Sequence, residues 1–216
     1  MYIFDIDGTL LYTIDSIHFH MNKTLKEFGL GQVPKDKIRD FVGNGPVVLA
    51  NKSLDYVGAG EDEDFRQKFL DAYNLSYDMD PSYLTRPYDG IRESLDAINR
   101  RGEVMVCFSN KPLSTARKVI RDVFGDGYFD YVLGYDPSYE RKPSPEGIYI
   151  LQERFKARLS DIIYFGDSEV DIRCGKNAGV FTVSVSWGFR DREILEREKP
   201  DLIIDRTSDI KDIRRA

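Results

Sequence analysis

From residue 90 onward the chain alternates two kinds of segment, and this alternation constrains the fold more than anything else in it. One kind is short and wholly apolar, as in Val104-Met105-Val106-Cys107-Phe108 and Ile162-Ile163-Tyr164-Phe165. Shorter runs of the same character lie at 131–133, 180–185 and 202–204. The other kind carries apolar residues at helical spacing, over 91–100, 113–123, 145–155 and 170–178. A strand with one wet face alternates apolar and polar residues. A strand that is apolar throughout must be covered on both faces, which is the signature of a parallel sheet between helices. Tyr2-Ile3-Phe4 is one more such run, and the natural place for it is the same sheet. The expected fold is α/β, with a Rossmann-like parallel sheet as its core.

Between that first strand and residue 90 the rhythm is different. Ile17, Met21, Leu25 and Phe28 make one helical stripe that ends at Gly29. Pro34 suits the first turn of a second helix, with Ile38, Phe41 and Val42 inward. Gly43-Asn44-Gly45-Pro46 interrupts, 47–57 reads as a third helix, and 61–78 as a fourth with Phe65, Phe69, Ala72 and Tyr73 in register. Pro81 and Pro87 break the pattern. The expected organisation is therefore a core domain made of 1–13 and 87–216, with an α-helical cap domain of 14–86 inserted after the first strand. Thr13 and Pro87 mark its hinges.

The 216 residues suffice for a sizeable core, at 41% hydrophobic and 31% charged. A net charge of −6 argues against nucleic acid or an anionic membrane as the main partner. No apolar run is long enough to span a bilayer and no cationic leader precedes the first strand, so the cytoplasm is the expected location. Cys107 and Cys174 are expected as two buried, reduced thiols rather than a disulfide. His18 and His20 are two apart on a helix and share no face, so they are read as ordinary helix residues.

In open α/β sheets, ligands lie beyond the carboxyl ends of the strands. Four strand ends here carry polar residues. The first delivers Asp5-Ile6-Asp7-Gly8-Thr9, the second Ser109-Asn110-Lys111-Pro112, the third leads to Arg141-Lys142-Pro143, and the fourth gives Gly166-Asp167-Ser168 with Asp171 beyond. Residues two apart on an extended chain face the same side, so Asp5 and Asp7 would repel unless a cation or ligand compensates them. Together these groups suit phosphoryl transfer. Carboxylate and carbonyl oxygens suit Mg²⁺, with Asp5 and Asp167 as donors and the Asp7 carbonyl completing the set. Asp5 would attack phosphorus, and Asp7 would give and then take the proton. Ser109, backbone amides and Lys142 would bind the transferring oxygens, with Asp171 orienting Lys142 or a metal-bound water.

The motifs Asp5-x-Asp7-Gly8-Thr9-Leu10, Ser109-Asn110-Lys111, Lys142-Pro143 and Gly166-Asp167-Ser168-x-x-Asp171 resemble, in this order, the four motifs of the haloacid dehalogenase superfamily. The resemblance spans nearly the whole chain, and the helical insert resembles that superfamily's small α-helical cap. Gly43-Asn44-Gly45, Lys142-Pro143-x-Pro145 and Trp187-Gly188-Phe189 are most similar to the phosphoglycolate phosphatase branch. The resemblance implies Asp5 as nucleophile, Asp7 as acid/base, and a phosphate held by Ser109, Asn110 and Lys142. It also implies Mg²⁺ on Asp5, Asp7 and Asp167. Thr9, Gly43, Asn44 and Gly45 join the expected substrate-binding set. One departure stands out: many relatives have an acidic residue where this chain has Tyr12.

The expected activity is thus a Mg²⁺-dependent phosphatase that forms an aspartyl phosphate and acts on a small phosphorylated metabolite. 2-Phosphoglycolate leads by resemblance; sugar phosphates, nucleoside monophosphates and pyrophosphate stay open, as does the choice of monomer or homodimer. Dehalogenases need neither the second aspartate nor a metal, and Asp7 and Asp167 are both present. A phosphomutase would share these residues. A non-catalytic binding protein of the same fold would be expected to have lost Asp5, Asp7 or Lys142.

Overall fold

The computed structural model describes residues 1–60 and 62–214. In chain order its core elements are β1 (Tyr2–Phe4), α5 (Ile91–Asn99), β4 (Met105–Pro112), α6 (Leu113–Phe124), β5 (Tyr131–Tyr135), α7 (Glu146–Phe155), β6 (Ile163–Gly166), α8 (Glu169–Ala178), β7 (Phe181–Val185), α9 (Arg192–Glu198) and β8 (Leu202–Ile204). Six of the strands form one sheet in the order β5-β4-β1-β6-β7-β8, and every pairing is parallel. Between β1 and β4 come the elements β2 (Leu11–Tyr12), α1 (Ile14–Glu27), α2 (Lys35–Phe41), α3 (Pro46–Tyr56), α4 (Glu63–Met79) and β3 (Arg86–Pro87).

The continuously apolar strands have the cause inferred from sequence. Phe4, Cys107 and Phe165 point to one face, where they meet Leu95 of α5 and Val119 of α6. Their neighbours Ile3, Val106 and Tyr164 point to the other, against Leu151 of α7 and Cys174 of α8. The register Ile3↔Val106 and Ile3↔Tyr164 stacks these side chains into rows across the sheet. Each fully buried Phe in such a row contributes about 2–3 kcal/mol. Phe4 and Phe165 also stack, at 4.9 Å between ring centres.

Strand β1 lies at the centre, and the chain runs outward from it in both directions: to β4 and β5 on one side, to β6, β7 and β8 on the other. This reversal of strand order opens a crevice at the carboxyl ends of β1, β4 and β6. Over that crevice lies the layer of α1–α4, with its own apolar cluster. Ile17, Met21 and Leu25 of α1, Ile38 of α2, Leu49 and Leu54 of α3, and Phe69, Tyr73 and Tyr77 of α4 pack together. Phe189, from the loop after β7, joins this cluster from the sheet side.

Several boundaries differ from the sequence reading. The second core strand does not stop at Phe108; it continues through Ser109-Asn110-Lys111-Pro112 and re-pairs with Tyr135 after an irregularity. Its last residues are polar yet buried, because the helical layer covers them. Pro34 and Pro145 stand just before their helices as caps and not inside the first turn. The fourth helix begins at Glu63; the expected start, Glu61, lies outside the described residues, as do 215–216 of the expected core domain. The two chain crossings into and out of the helical layer, where hinges are expected at Thr13 and Pro87, carry β2 and β3, paired antiparallel as Leu11↔Pro87 and Tyr12↔Arg86. The Arg86 guanidinium lies over the Tyr12 ring at 4.1 Å, so the residue that departs from the family pattern fastens this ribbon. No described helix is long and apolar enough to cross a membrane. Cys107 and Cys174 are both buried and unbridged. His20 is buried, with its ring nitrogens at Ser76 Oγ (3.0 Å) and the Asp80 carbonyl (3.2 Å).

Candidate active site

Asp5 is carried at the end of β1, where its amide donates to the Phe165 carbonyl at 2.9 Å. Its carboxylate Oδ1 accepts from Lys142 Nζ at 2.6 Å. Lys142 arrives from the loop after β5, through a cis bond to Pro143. Its two other donors go to Asp171 Oδ1 at 2.7 Å and to the Phe108 carbonyl at 3.3 Å. Asp171 is saturated in turn: Tyr164 Oη donates to Oδ1 at 2.7 Å, and Ser168 donates to Oδ2 through Oγ at 2.6 Å and through its amide at 3.2 Å. The amide bond, with the Asp171 amide donating to Ser168 Oγ, makes a capping box at the start of α8, so the turn that begins the helix also orients Asp171. Asp5, Lys142 and Asp171 are all buried.

Asp167 completes this group from the end of β6. Its Oδ2 accepts from the Phe189 amide at 2.7 Å. Gly8 and Gly188 make its position accessible: a Cβ on either would overlap Asp167, and Gly8 has φ +87°, which favours glycine. Oxygens of Asp5, Asp167 and Asp171 lie within 4.8 Å of one another.

The electrostatics follow from burial plus one cation among three acids. Burial pushes the Asp5 carboxyl up to about 7; Lys142 opposes this, and Asp171 and Asp7 add to it. Burial, with repulsion from Asp171 and Asp5, raises Asp167 well above the usual carboxylate range. Burial acts on Asp171 in the same sense, but the charge and hydrogen bonds of Lys142 overrule it and hold Asp171 low. Lys142 is held protonated by Asp171 and Asp5 against the cost of its own burial. Two of the three clustered carboxylates therefore lack compensation. An all-oxygen, buried, under-neutralised set of this kind fits a hard divalent cation.

Asp7 is placed differently. Its carboxylate stands outside the cluster, with Oδ2 3.2 Å from Lys111 Nζ. Its Oδ1 is buried and has no hydrogen-bond partner among the described residues. Lys111 Nζ also donates to Tyr77 Oη of α4 at 3.0 Å. Asp7 and Tyr77 keep Lys111 charged despite its burial.

Of the other residues singled out from sequence, Ser109 lines the pocket and its Oγ accepts from the Lys111 amide at 3.2 Å. Asn110 spends its side chain on backbone. Its Oδ1 accepts from the Lys142 amide at 2.8 Å, and its Nδ2 donates to the Lys142 and Gly43 carbonyls at 3.0 Å each. It thus ties the lysine loop to the helical layer. Gly43 and Gly45 line the same pocket. Asn44 does not; it faces a separate surface hollow beside Tyr135 and Arg141. Thr9 is fully buried away from the pocket, where its carbonyl accepts from Trp187 Nε1 at 3.1 Å. Sequence reasoning gave no role to Tyr164, Tyr77 or Arg190. Arg190 donates to Glu169 (2.8 Å) and to the Arg39 (3.0 Å) and Val42 (2.6 Å) carbonyls at the end of α2, bolting the sheet side to the helical layer. An arginine just after Trp187-Gly188-Phe189, beyond a strand end, was the available signal for that contact.

Known proteins resemble this chain over nearly its whole length. The model of a family described as haloacid dehalogenase-like hydrolase matches residues 2–185. The chain is 31% identical over 208 residues to a phosphoglycolate phosphatase of Aquifex aeolicus, covering 96% of this chain and 93% of that one. It is 28% identical to one of Vibrio parahaemolyticus, with 97% and 93% covered. Among solved structures, a predicted phosphoglycolate phosphatase from Haemophilus somnus superposes with a TM-score of 0.91 at 27% identity, over 97% of this chain and 95% of its own. The chain belongs to the haloacid dehalogenase-like hydrolase family.

Proposed function

We propose that the protein is a Mg²⁺-dependent phosphatase that hydrolyses a small phosphate monoester through an aspartyl phosphate on Asp5. One observation carries this reading most strongly: the two aspartates at the end of β1 occupy opposite surroundings. Asp5 sits in the buried cluster with Asp167, Asp171 and Lys142, whereas Asp7 stands apart with one oxygen unpartnered. That division suits one group that bonds to phosphorus and one that handles protons.

In this reading Asp5, Asp167 and the Asp7 carbonyl would hold the metal, which would offset the charge on Asp5 and on the phosphoryl oxygens. Asp5 attacks phosphorus while the phosphorus–oxygen bond to the alcohol breaks. Asp7, protonated, gives its proton to the departing oxygen. Water then attacks the aspartyl phosphate, Asp7 takes the proton from that water, and orthophosphate leaves with Asp5 restored. Lys142 and Ser109 bind the transferring oxygens, and Asp171 fixes the Lys142 ammonium. The α1–α4 layer acts as a cap domain that excludes bulk water during transfer and opens for release. The named relatives make 2-phosphoglycolate the first substrate to try.

The test is phosphate release from a panel of phosphate esters, with and without Mg²⁺, by the wild type and Asp5→Asn. Mg²⁺-dependent release that falls about a thousandfold in kcat in Asp5→Asn is the expected result. More than about a tenth of the wild-type rate in the variant removes Asp5 as nucleophile. Conversion of a sugar 1-phosphate to its 6-phosphate without phosphate release replaces the phosphatase by a mutase.

A further inference from the structure

Three cationic side chains line the described pocket: Lys142, Arg190 and Lys111. Lys142 has all three of its donors committed, and Arg190 three of its five. Lys142 serves Asp5, Asp171 and the Phe108 carbonyl, and Arg190 serves Glu169 and the end of α2. Lys111 has two partners, Asp7 Oδ2 and Tyr77 Oη, for three donors. It is nevertheless among the most buried charges of the protein.

Its position relative to the reaction is defined by Asp7. If Asp7 protonates the departing oxygen, the oxygen available for that contact is Oδ1, since Oδ2 faces Lys111. The Lys111 ammonium then lies one carboxylate width beyond the departing oxygen, on the alcohol side of the substrate. Asp78, the acid that α4 adds to the lining, is occupied by Thr115 Oγ1. The helical layer otherwise lines the pocket with Tyr73, Asn74 and Tyr77 of α4 and with Ile17, Val42 and Leu49. A neutral alcohol would leave the third Lys111 donor buried and unanswered, which is costly.

We propose that Lys111 and Tyr77 form the specificity subsite, in which the ammonium binds a carboxylate carried by the alcohol half of the substrate. Good substrates are then phosphate esters of short hydroxy acids, with the carboxylate one or two carbons from the ester oxygen. This rests on the phosphatase reading above and adds to it a residue that selects the substrate. Because Tyr77 belongs to α4, the subsite is complete only when the helical layer lies over the sheet.

The experiment compares 2-phosphoglycolate with ethyl phosphate, which lacks only the carboxylate, in wild type, Lys111→Met and Tyr77→Phe. Wild type should favour 2-phosphoglycolate in kcat/KM by about 100-fold, and Lys111→Met should bring that ratio to near one, chiefly through KM. Tyr77→Phe should lower the ratio about threefold to tenfold. An equal loss on both esters in Lys111→Met overturns the subsite, because Lys111 then acts only through Asp7. A wild type that hydrolyses both esters equally well overturns the subsite and leaves the phosphatase; hydrolysis of no ester overturns both. A second readout needs no turnover. In Asp5→Asn with Mg²⁺, adding Lys111→Met should weaken 2-phosphoglycolate binding by calorimetry about 100-fold while binding of inorganic phosphate is unchanged. Parallel loss of both ligands overturns the proposal, and retained phosphate binding establishes that the variant is folded.

Discussion

The two lysines of the pocket offer the most instructive contrast in the molecule. Lys142 lies wholly within the sheet side: its partners come from β1, β4 and α8, and all its donors are used. Lys111 bridges two layers, from Asp7 at the end of β1 to Tyr77 in α4. The first arrangement is present whether or not the helical layer moves. The second exists only when the two layers meet. A rigid half within the sheet side and a half completed where the two layers meet divide one site between them, and the same division separates Asp171, saturated with hydrogen bonds, from Asp7, whose Oδ1 has no partner among the described residues.

Variants can break either half. The largest effect is expected from Lys142→Met, which leaves Asp5 and Asp171 buried side by side without their cation. Urea unfolding of the metal-free protein should show a loss of about 3–5 kcal/mol. Next comes the metal itself. The Asp5 and Asp167 carboxyls titrate above the range of a free carboxylate, so the folded state keeps protons that the unfolded chain has released. Their contribution to stability is therefore undiminished below about pH 4 and falls as pH rises towards about 7. Mg²⁺ at 100 times its pH 8 dissociation constant adds about 2.7 kcal/mol at that pH, and the same concentration should raise Tm less at pH 5. A Tm increment independent of pH would mean that the ion sits elsewhere.

Asn110→Ala removes the tie between the lysine loop and Gly43 and should cost about 2 kcal/mol by denaturant unfolding, with KM raised. Arg190→Ala removes the bolt between the layers together with the Arg190–Glu169 pair. It should raise KM severalfold with little change in kcat and cost roughly 1 kcal/mol of stability. An equal fall in kcat would place Arg190 in the rigid half. Lys118→Ala, which removes a surface pair with Asp122 four residues on in α6, should change stability by no more than about 0.5 kcal/mol.

The rigid half is also the half that the sequence announces. Asp5, Lys142, Asp167 and Asp171 all follow strand ends, and apolar strands are legible because both of their faces are buried. The half shared with the helical layer is not. Nothing local in Lys111 or Tyr77, 34 positions apart, says that they touch. The polar residues 109–112 read as a loop, although the layer above buries them as strand. The pairs β2 and β3 are two residues long, too short for any periodicity. Thr9 illustrates the opposite error: it stands in a motif, yet its neighbours turn it inward. Motifs mark which residues gather at strand ends, while the contact of two layers emerges only from their packing.

The paired β2 and β3 have a consequence for how such a protein can change. The chain leaves the sheet at Tyr12 and returns at Arg86, and those two residues are partners across the ribbon. The 73 intervening residues therefore hang from a single two-stranded stem, as a graft hangs from one cut. One recombination event within one contiguous stretch could exchange the whole helical layer, Tyr77 included, without severing a strand of the six-stranded sheet. Such an exchange would replace Tyr77 while Lys111, Asp5 and Lys142 stayed with the sheet.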